Sequence, residues 1–325
     1  MDTLLQPCKN HSYQLGYRWN PSKCVILDLH NHLLATLYGE KIPIHSSFPY
    51  LGIPFRPGGY LDTVRLANRS KAKALATMNQ LSAIDVHPKG FAPLLATRFY
   101  RQIVRAQLEY GLAITKLTTF LSKQLENAQD ACLRRIFGGS RTSSTMIMLH
   151  MSNLPTMQER AYTLQSQFLL RSITLPEDAL LHHLLPLIRQ PRSYSHWYKL
   201  SKSPIWKRCS SNPESLDHRS LRSIQLEYRQ DNLNRKCSMY ASVLLMHCHP
   251  IISLDPVLWL PMSKSERSRC IRWRLGWLPG GRYKACPRRP NQSFTKAHVI
   301  HCLQMHRRLM MPETRNGDRS SIIKK

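Results

Sequence analysis

The sequence predicts a mainly α protein with a small β element and a basic Cys/His region at its C-terminal end. Three observations carry this. Aromatic and β-favouring residues punctuated by Gly and Pro crowd residues 16–60. Helical periodicity takes over afterwards. Residues 263–310 then hold twelve Lys/Arg against one acid, Glu266, together with several Cys and His.

The β element comes first. Residues 1–15 read as a short helix ending at Gly16. "CVILDL" and "HLLATLYG" are apolar runs separated by His30 and Asn31, which predicts a hairpin. "FPYLGIPF" at 48–55 reads as a third short strand at an edge, because Pro49, Gly52 and Pro54 interrupt it. "RPGGY" at 56–60 reads as a turn.

The helices follow. Between Ala92 and Thr118, Leu95, Phe99, Ile103, Ala106 and Tyr110 recur on one face, predicted to be buried. Arg98, Arg101 and Arg105 form a separate stripe. A second helix is predicted from Ser122 to Phe137, with Leu125, Ala128, Cys132 and Ile136 inward and Gly138-Gly139 as its stop. A third covers 154–173, with Pro155 near its start. Residues 190–222 are rich in Ser, Pro and Lys/Arg with Tyr194, Trp197, Tyr198 and Trp206 interleaved, and read as a linker or long loop. Such aromatics either stack single-stranded nucleic acid or pin the loop to the core, and the second is the expectation. A further helix is predicted around Leu221–Cys248. The expected division is 1–56, 57–189, the linker 190–222, and 223–325.

Charge narrows the function. The 325 residues carry 47 Lys+Arg against 19 Asp+Glu, a formal net charge of +28. Such an excess attracts polyanions, so nucleic acid is the expected partner, held through its phosphates. The most apolar window, Met239–Pro261, contains His247, His249, Pro250 and Asp255, which makes it a poor bilayer span. No membrane partner is expected. The nine cysteines are an odd number without a secretion signal, so a reduced intracellular setting, nuclear or cytoplasmic, is the expectation.

Within the basic end, "CPRRPNQSFTKAHVIHC" offers thiolate and imidazole ligands at Cys286, His298 and Cys302, and zinc is the candidate ion. His298 and Cys302 stand four apart and share a helix face. Arg289 occupies the position where a second cysteine would complete Cys-x2-Cys. Cys270 is a candidate fourth ligand if the chain folds back. The competing reading is a degenerate site held by packing of Val299, Leu303 and Leu309.

Several stretches, in this order, resemble one family: "LGYRWNPSKCVIL", "FPYLGIPF", "FYRQIVRAQLEYGLAI", "LENAQDACLRRIFGG", "RWRLGWLPGGR" and "AHVIHCLQMHRRLMMPE". They resemble the C-terminal half of a LINE-type (non-LTR) retrotransposon reverse transcriptase of early-diverging fungi, from about residue 4 to 313. The final "TRNGDRSSIIKK" departs from it. The resemblance implies that 1–56 is a palm remnant, with Lys23 matching the lysine of motif D. Tyr50, Leu51 and Gly52 then match the centre of the primer grip, motif E. The helices from about 65 to 175 match the thumb, and Arg272 and Arg274 lie in a further basic stretch expected to touch nucleic acid. The Cys/His tail matches a knuckle lacking its second cysteine.

The family's polymerase chemistry needs clustered aspartates to hold two Mg²⁺. The sequence has no Asp-Asp, and its aspartates at 2, 28, 62, 85, 130, 178, 217, 231, 255 and 318 are solitary. The resemblance therefore implies a truncated reverse transcriptase, inactive alone, that retains template–primer binding to RNA or an RNA/DNA duplex, with Mg²⁺ only in the intact enzyme. The alternative is a stand-alone basic RNA-binding or chaperone-like module, zinc-dependent through the tail. Two enzymatic readings are weaker. "HNH" at 30–32 is a contiguous tripeptide, whereas HNH nucleases use dispersed residues. Nucleotide transfer in trans requires a partner chain that supplies the palm.

Overall fold

The computed structural model describes residues 2–28, 35–209, 216–238, 245, 248–276, 285–294, 298–299 and 302. The described chain is mainly helical with small sheets. It divides into two compact units. The first is 1–86, 97–132 and 155–229; the second is 87–96, 133–154 and 230–325.

In the first unit, helix α1 (Asp2–Gln14) ends in a turn at Leu15–Gly16. The strands that follow differ from the predicted pairing. Strand β1 (Ile26–Leu27) pairs in parallel with β4 (Ile44–His45). The hairpin instead joins β2 (Thr36–Leu37) to β3 (Glu40–Lys41) through Tyr38–Gly39, both at positive φ. Ile26, Ala35, Leu37 and Ile42 bury together, and this apolar set fixes the parallel register. His30, Asn31 and His32 lie outside the described residues.

"FPYLGIPF" is not one edge strand but a hairpin. Strand β5 (Phe48–Tyr50) pairs with β6 (Ile53–Arg56), and β6 pairs on its other side with β7 (Tyr60–Leu61). Leu51 and Gly52 are its two-residue turn, with φ of 47° and 76°. That geometry matches the right-handed twist of the flanking strands and needs positive φ at both positions. The Gly read as a strand interruption is thus the turn itself.

Helix α2 (Thr63–Ala83) starts at Asp62, whose carboxylate accepts the Arg65 N–H at 3.0 Å. Helix α3 (Pro93–Phe99) passes through a π turn (Tyr100–Val104) into α4 (Arg105–Glu109). Here the predicted face is corrected. Ala96, Tyr100, Val104 and Leu108 are buried, whereas Leu95, Ile103 and Tyr110 are exposed. Both stripes are apolar, and the π turn shifts the phase between them.

Helix α5 (Thr119–Phe137) buries Leu125, Ala128, Cys132 and Ile136 as predicted. It stops at Gly138, at φ 71°, where a Cβ would come within 2.8 Å of Pro88. Helix α6 (Thr145–Met151) belongs to the second unit. Helix α7 (Met157–Ile173) opens with a reciprocal capping box between Thr156 and Glu159.

The predicted linker is largely folded. After α8 (Leu180–Ile188), helices α9 (His196–Ser201) and α10 (Pro204–Cys209) bury Trp197 and Trp206 edge to face, with ring centroids 6.3 Å apart. They share a core with Leu169, Leu170 and Leu221. Two large apolar rings outweigh the polar composition of their neighbours. Helix α11 (His218–Ser238) follows, and in the second unit α12 (Lys264–Arg274) carries its own capping box, Ser263 with Glu266. Among the described residues, no helix is long and apolar enough to cross a membrane.

Candidate nucleic-acid interface and metal centre

The β5–β6 turn presents a fixed, exposed tip. Tyr50 is 62% and Leu51 74% exposed. Behind the tip, the Tyr110 hydroxyl donates to the Leu51 carbonyl, and Arg69 donates to the Gly52 carbonyl at 3.3 Å. The Tyr110 ring lies so close that a Cβ on Gly52 would sit 3.3 Å from its hydroxyl oxygen. The turn is therefore buttressed by the C-terminal end of α4 and by α2. Sequence reading placed Tyr110 in the core and did not single out Arg69. A tyrosine followed directly by Gly111 at a helix end was the available signal.

Lys23 is exposed at the end of a 3-10 turn (Pro21–Lys23), which Asn20 caps by accepting the Ser22 N–H at 3.0 Å. Of the arginine stripe, Arg98 and Arg101 are exposed. Arg105 turns inward: its side chain is 13% exposed and its Nε lies 2.8 Å from Glu109 Oε1. Burial lowers its pKa, opposed by Glu109. Arg105 thus braces the fold rather than facing solvent, because an acid one helical turn on captures it.

Arg272 and Arg274 lie on α12 in the second unit. Arg272 is exposed. Arg274 Nε lies 3.6 Å from Oδ2 of Asp255, a buried carboxylate whose Oδ1 accepts the Val257 N–H at 2.9 Å. Part of the Arg274 charge is therefore spent within the unit.

The second unit also brings together Cys286, His298 and Cys302, whose ligand atoms lie within 4.8 Å of one another. Cys286 is buried and opens a tight loop. Its N–H donates to the Gln292 carbonyl at 2.9 Å, its carbonyl accepts the Arg289 N–H at 3.2 Å, and Ala285 bridges Ser293. The Cys286 and Cys302 sulfurs are 3.5 Å apart. Thiolates about 2.3 Å from a tetrahedral zinc stand about 3.8 Å from each other, so the donors fit one ion. Burial raises the Cys286 thiol, but hydrogen bonds from His298, from the Arg288 and Arg289 N–H groups and from Cys302 outweigh it and bring it down to about 7. Cys302 is held above its usual value, first by its hydrogen bond to Cys286.

These three residues can hold a metal ion with one position left over. Cys270, the candidate fourth ligand if the chain folded back, is exposed on α12 and is not part of the group. Val299 is buried, while His301, Leu303, His306 and Leu309 lie outside the described residues. Compared with known protein families, with curated proteins and with solved structures, the chain finds no match in any of the three.

Proposed function

We infer that the chain is a nucleic-acid-binding protein that grips the backbone of a template–primer, RNA or RNA/DNA. We assign it to the non-catalytic, C-terminal half of a LINE-type reverse transcriptase. The observation that carries this reading is the Tyr50–Gly52 tip. A primer grip needs a rigid, solvent-facing turn next to helices that bear cations. Here the tip is held from behind by Tyr110 and Arg69, and Arg98 and Arg101 are exposed on the helical stretch that ends at Tyr110. In this reading the strands of 1–56 are the palm edge, the helices of 57–189 are the thumb, and Lys23 and Arg272 add backbone contacts. The chain's solitary aspartates offer no paired site for two Mg²⁺, so nucleotide transfer is not assigned to it.

The donor group Cys286, His298 and Cys302 favours a second reading, a zinc-dependent RNA-binding or chaperone-like module acting on its own. One experiment separates the two: binding of the purified chain to a primer–template duplex across a salt series, with zinc and with chelator. The first reading expects affinity that falls steeply with salt and survives chelation. Loss of binding on chelation selects the second. A soluble chain that does not bind the duplex overturns the first.

A further inference from the structure

Three helical stretches of the first unit bring their arginines together. Glu109 Oε1 accepts the Arg160 Nε–H at 2.8 Å and forms an ion pair with Arg105, whose Nε also lies 2.8 Å away. Helix α11 runs antiparallel along α7: Gln225 donates to Ser166 Oγ at 3.0 Å, and the Tyr228 ring meets Tyr162 with centroids 6.2 Å apart. Continuing that register brings Arg229 level with Glu159 and Arg160. The fields agree with the geometry. Burial lowers the Arg229 pKa, Glu159 opposes it, and Arg101 and Arg160 lower it further. Arg105 likewise feels Arg160 and Arg101.

Glu109 thus holds two guanidinium groups, and Arg229 lies in the combined field of Glu159, Arg101 and Arg160. Neither acid is at liberty to move. Glu109 already holds two arginines, and Glu159 Oε2 accepts the Thr156 N–H at 3.1 Å in the helix cap. Glu126 is turned to a different donor, the Gln158 N–H at 3.1 Å. An excess of like charge, half-buried, is unfavourable by itself. An anion that accepts several N–H groups at once reverses that sign, and the guanidinium fork matches phosphate oxygens in pairs. Arg101 is exposed and Arg160 and Arg229 are half-exposed, so a ligand can reach them.

We propose that Arg101, Arg160 and Arg229 form a phosphate site, braced by Arg105 and Glu109, that takes a phosphodiester of a polynucleotide backbone. It rests on the nucleic-acid reading above and extends the binding surface from α3–α4 onto α7 and α11.

The test uses the full chain carrying Arg101→Gln and Arg229→Gln together, which leaves the Glu109 pairs in place. Lys41→Gln with Lys123→Gln, both exposed, is the charge-matched control. Folding is followed by circular dichroism and melting temperature. Each lost phosphate contact flattens the plot of log affinity against log salt by about 0.9. The double arginine variant is expected to flatten it by about 2 and to bind a primer–template duplex about tenfold more weakly at 0.1 M salt, with the control unchanged. Equal effects of the two pairs overturn the site. If the double variant loses its helical signal, Arg101→Gln alone is expected to give about half the slope change.

Tripolyphosphate is the second probe. Protection of the parent against heat by millimolar tripolyphosphate, lost in the arginine variant together with duplex affinity, supports the proposal. Lost protection with unchanged duplex affinity means a free-phosphate site and overturns the polynucleotide assignment. A parent that does not bind the duplex overturns the nucleic-acid reading, and protection then decides whether the anion site itself stands.

Discussion

Tyr100 is buried to its hydroxyl, which donates to Gln129 Oε1 at 2.9 Å, and Gln129 passes its amide N–H to the Pro155 carbonyl at 3.1 Å. Two side chains thus tie the π turn to α5 and to the entry of α7. Tyr100→Phe would keep the packing and leave a buried carbonyl oxygen on Gln129 without its donor. A loss of about 1–3 kcal/mol is expected, read from urea melts. The sequence could not select this residue. Leu95, Phe99, Ile103 and Ala106 form as good an apolar stripe as Ala96, Tyr100, Val104 and Leu108, and periodicity alone does not say which one meets the core. The Cys/His group was more legible, because its chemistry depends on residue type and short spacing. Cys270 misled because its reach depended on long-range folding. The Arg289 N–H lies within the loop headed by Cys286, so Arg289→Cys is expected to add the missing ligand. Changes around metal ligands alone alter affinity about 10–100-fold. A direct thiolate should tighten zinc by at least that much, measured by competition with a chromogenic chelator, while Cys286→Ser weakens it.

The C-terminal ends of α5 and α7 agree with the sequence expectation, at Phe137 before Gly138 and at Ile173, whereas each start differs by three residues: α5 begins at Thr119 rather than Ser122, and the Thr156–Glu159 capping box starts α7 at Met157 rather than at 154. The strand pairing does not agree. Each has only two to four residues, so pairing is set by distant partners such as Ile44, which no local pattern names. The 190–222 stretch was legible in part: Trp197 and Trp206 pin it to the core as expected, but they do so from helices, together with Leu200, Ile205 and Cys209, where its polar average composition suggested a loop. A titration belongs to the α5–α7 contact. Burial pushes Glu126 up to about 7, against the Gln158 and Met157 N–H groups that lower it. An acid raised in the folded state keeps a proton that the unfolded chain releases. Its unfavourable ionisation is therefore absent below about pH 4.5 and is felt in full above about pH 7. Glu126→Gln retains an acceptor for Gln158 and removes the charge. It is expected to stabilise by about 1–2 kcal/mol at pH 8 and to change little at pH 4.5, read as melting temperature against pH.

For the molecule as a whole, charge dominates. If each of the 19 acids neutralised one cation, 28 of the 47 Lys and Arg charges would still be balanced only by counterions or a ligand. Some cations are spent internally, as Arg105 and Arg160 are on Glu109 and Arg274 is on Asp255. A one-to-one pair removes one charge of each sign and leaves the surplus as it was, and two arginines on one acid lower it by only one, so nearly all of the surplus remains on the surface. Salt should then act in opposite directions on two properties. It screens self-repulsion over a Debye length that shrinks from about 10 Å at 0.1 M to about 3 Å at 1 M, which favours the compact state. It also removes the gain from counterion release, which weakens polyanion binding. Raising sodium chloride from 0.05 to 0.5 M is expected to raise the melting temperature by several degrees while reducing duplex affinity by orders of magnitude. At low salt, a polyanion such as heparin should raise the melting temperature in place of salt. A melting temperature that falls with salt would mean that internal ion pairs outweigh the surplus, and the arginine clusters would then be the scaffold of the fold rather than its binding surface.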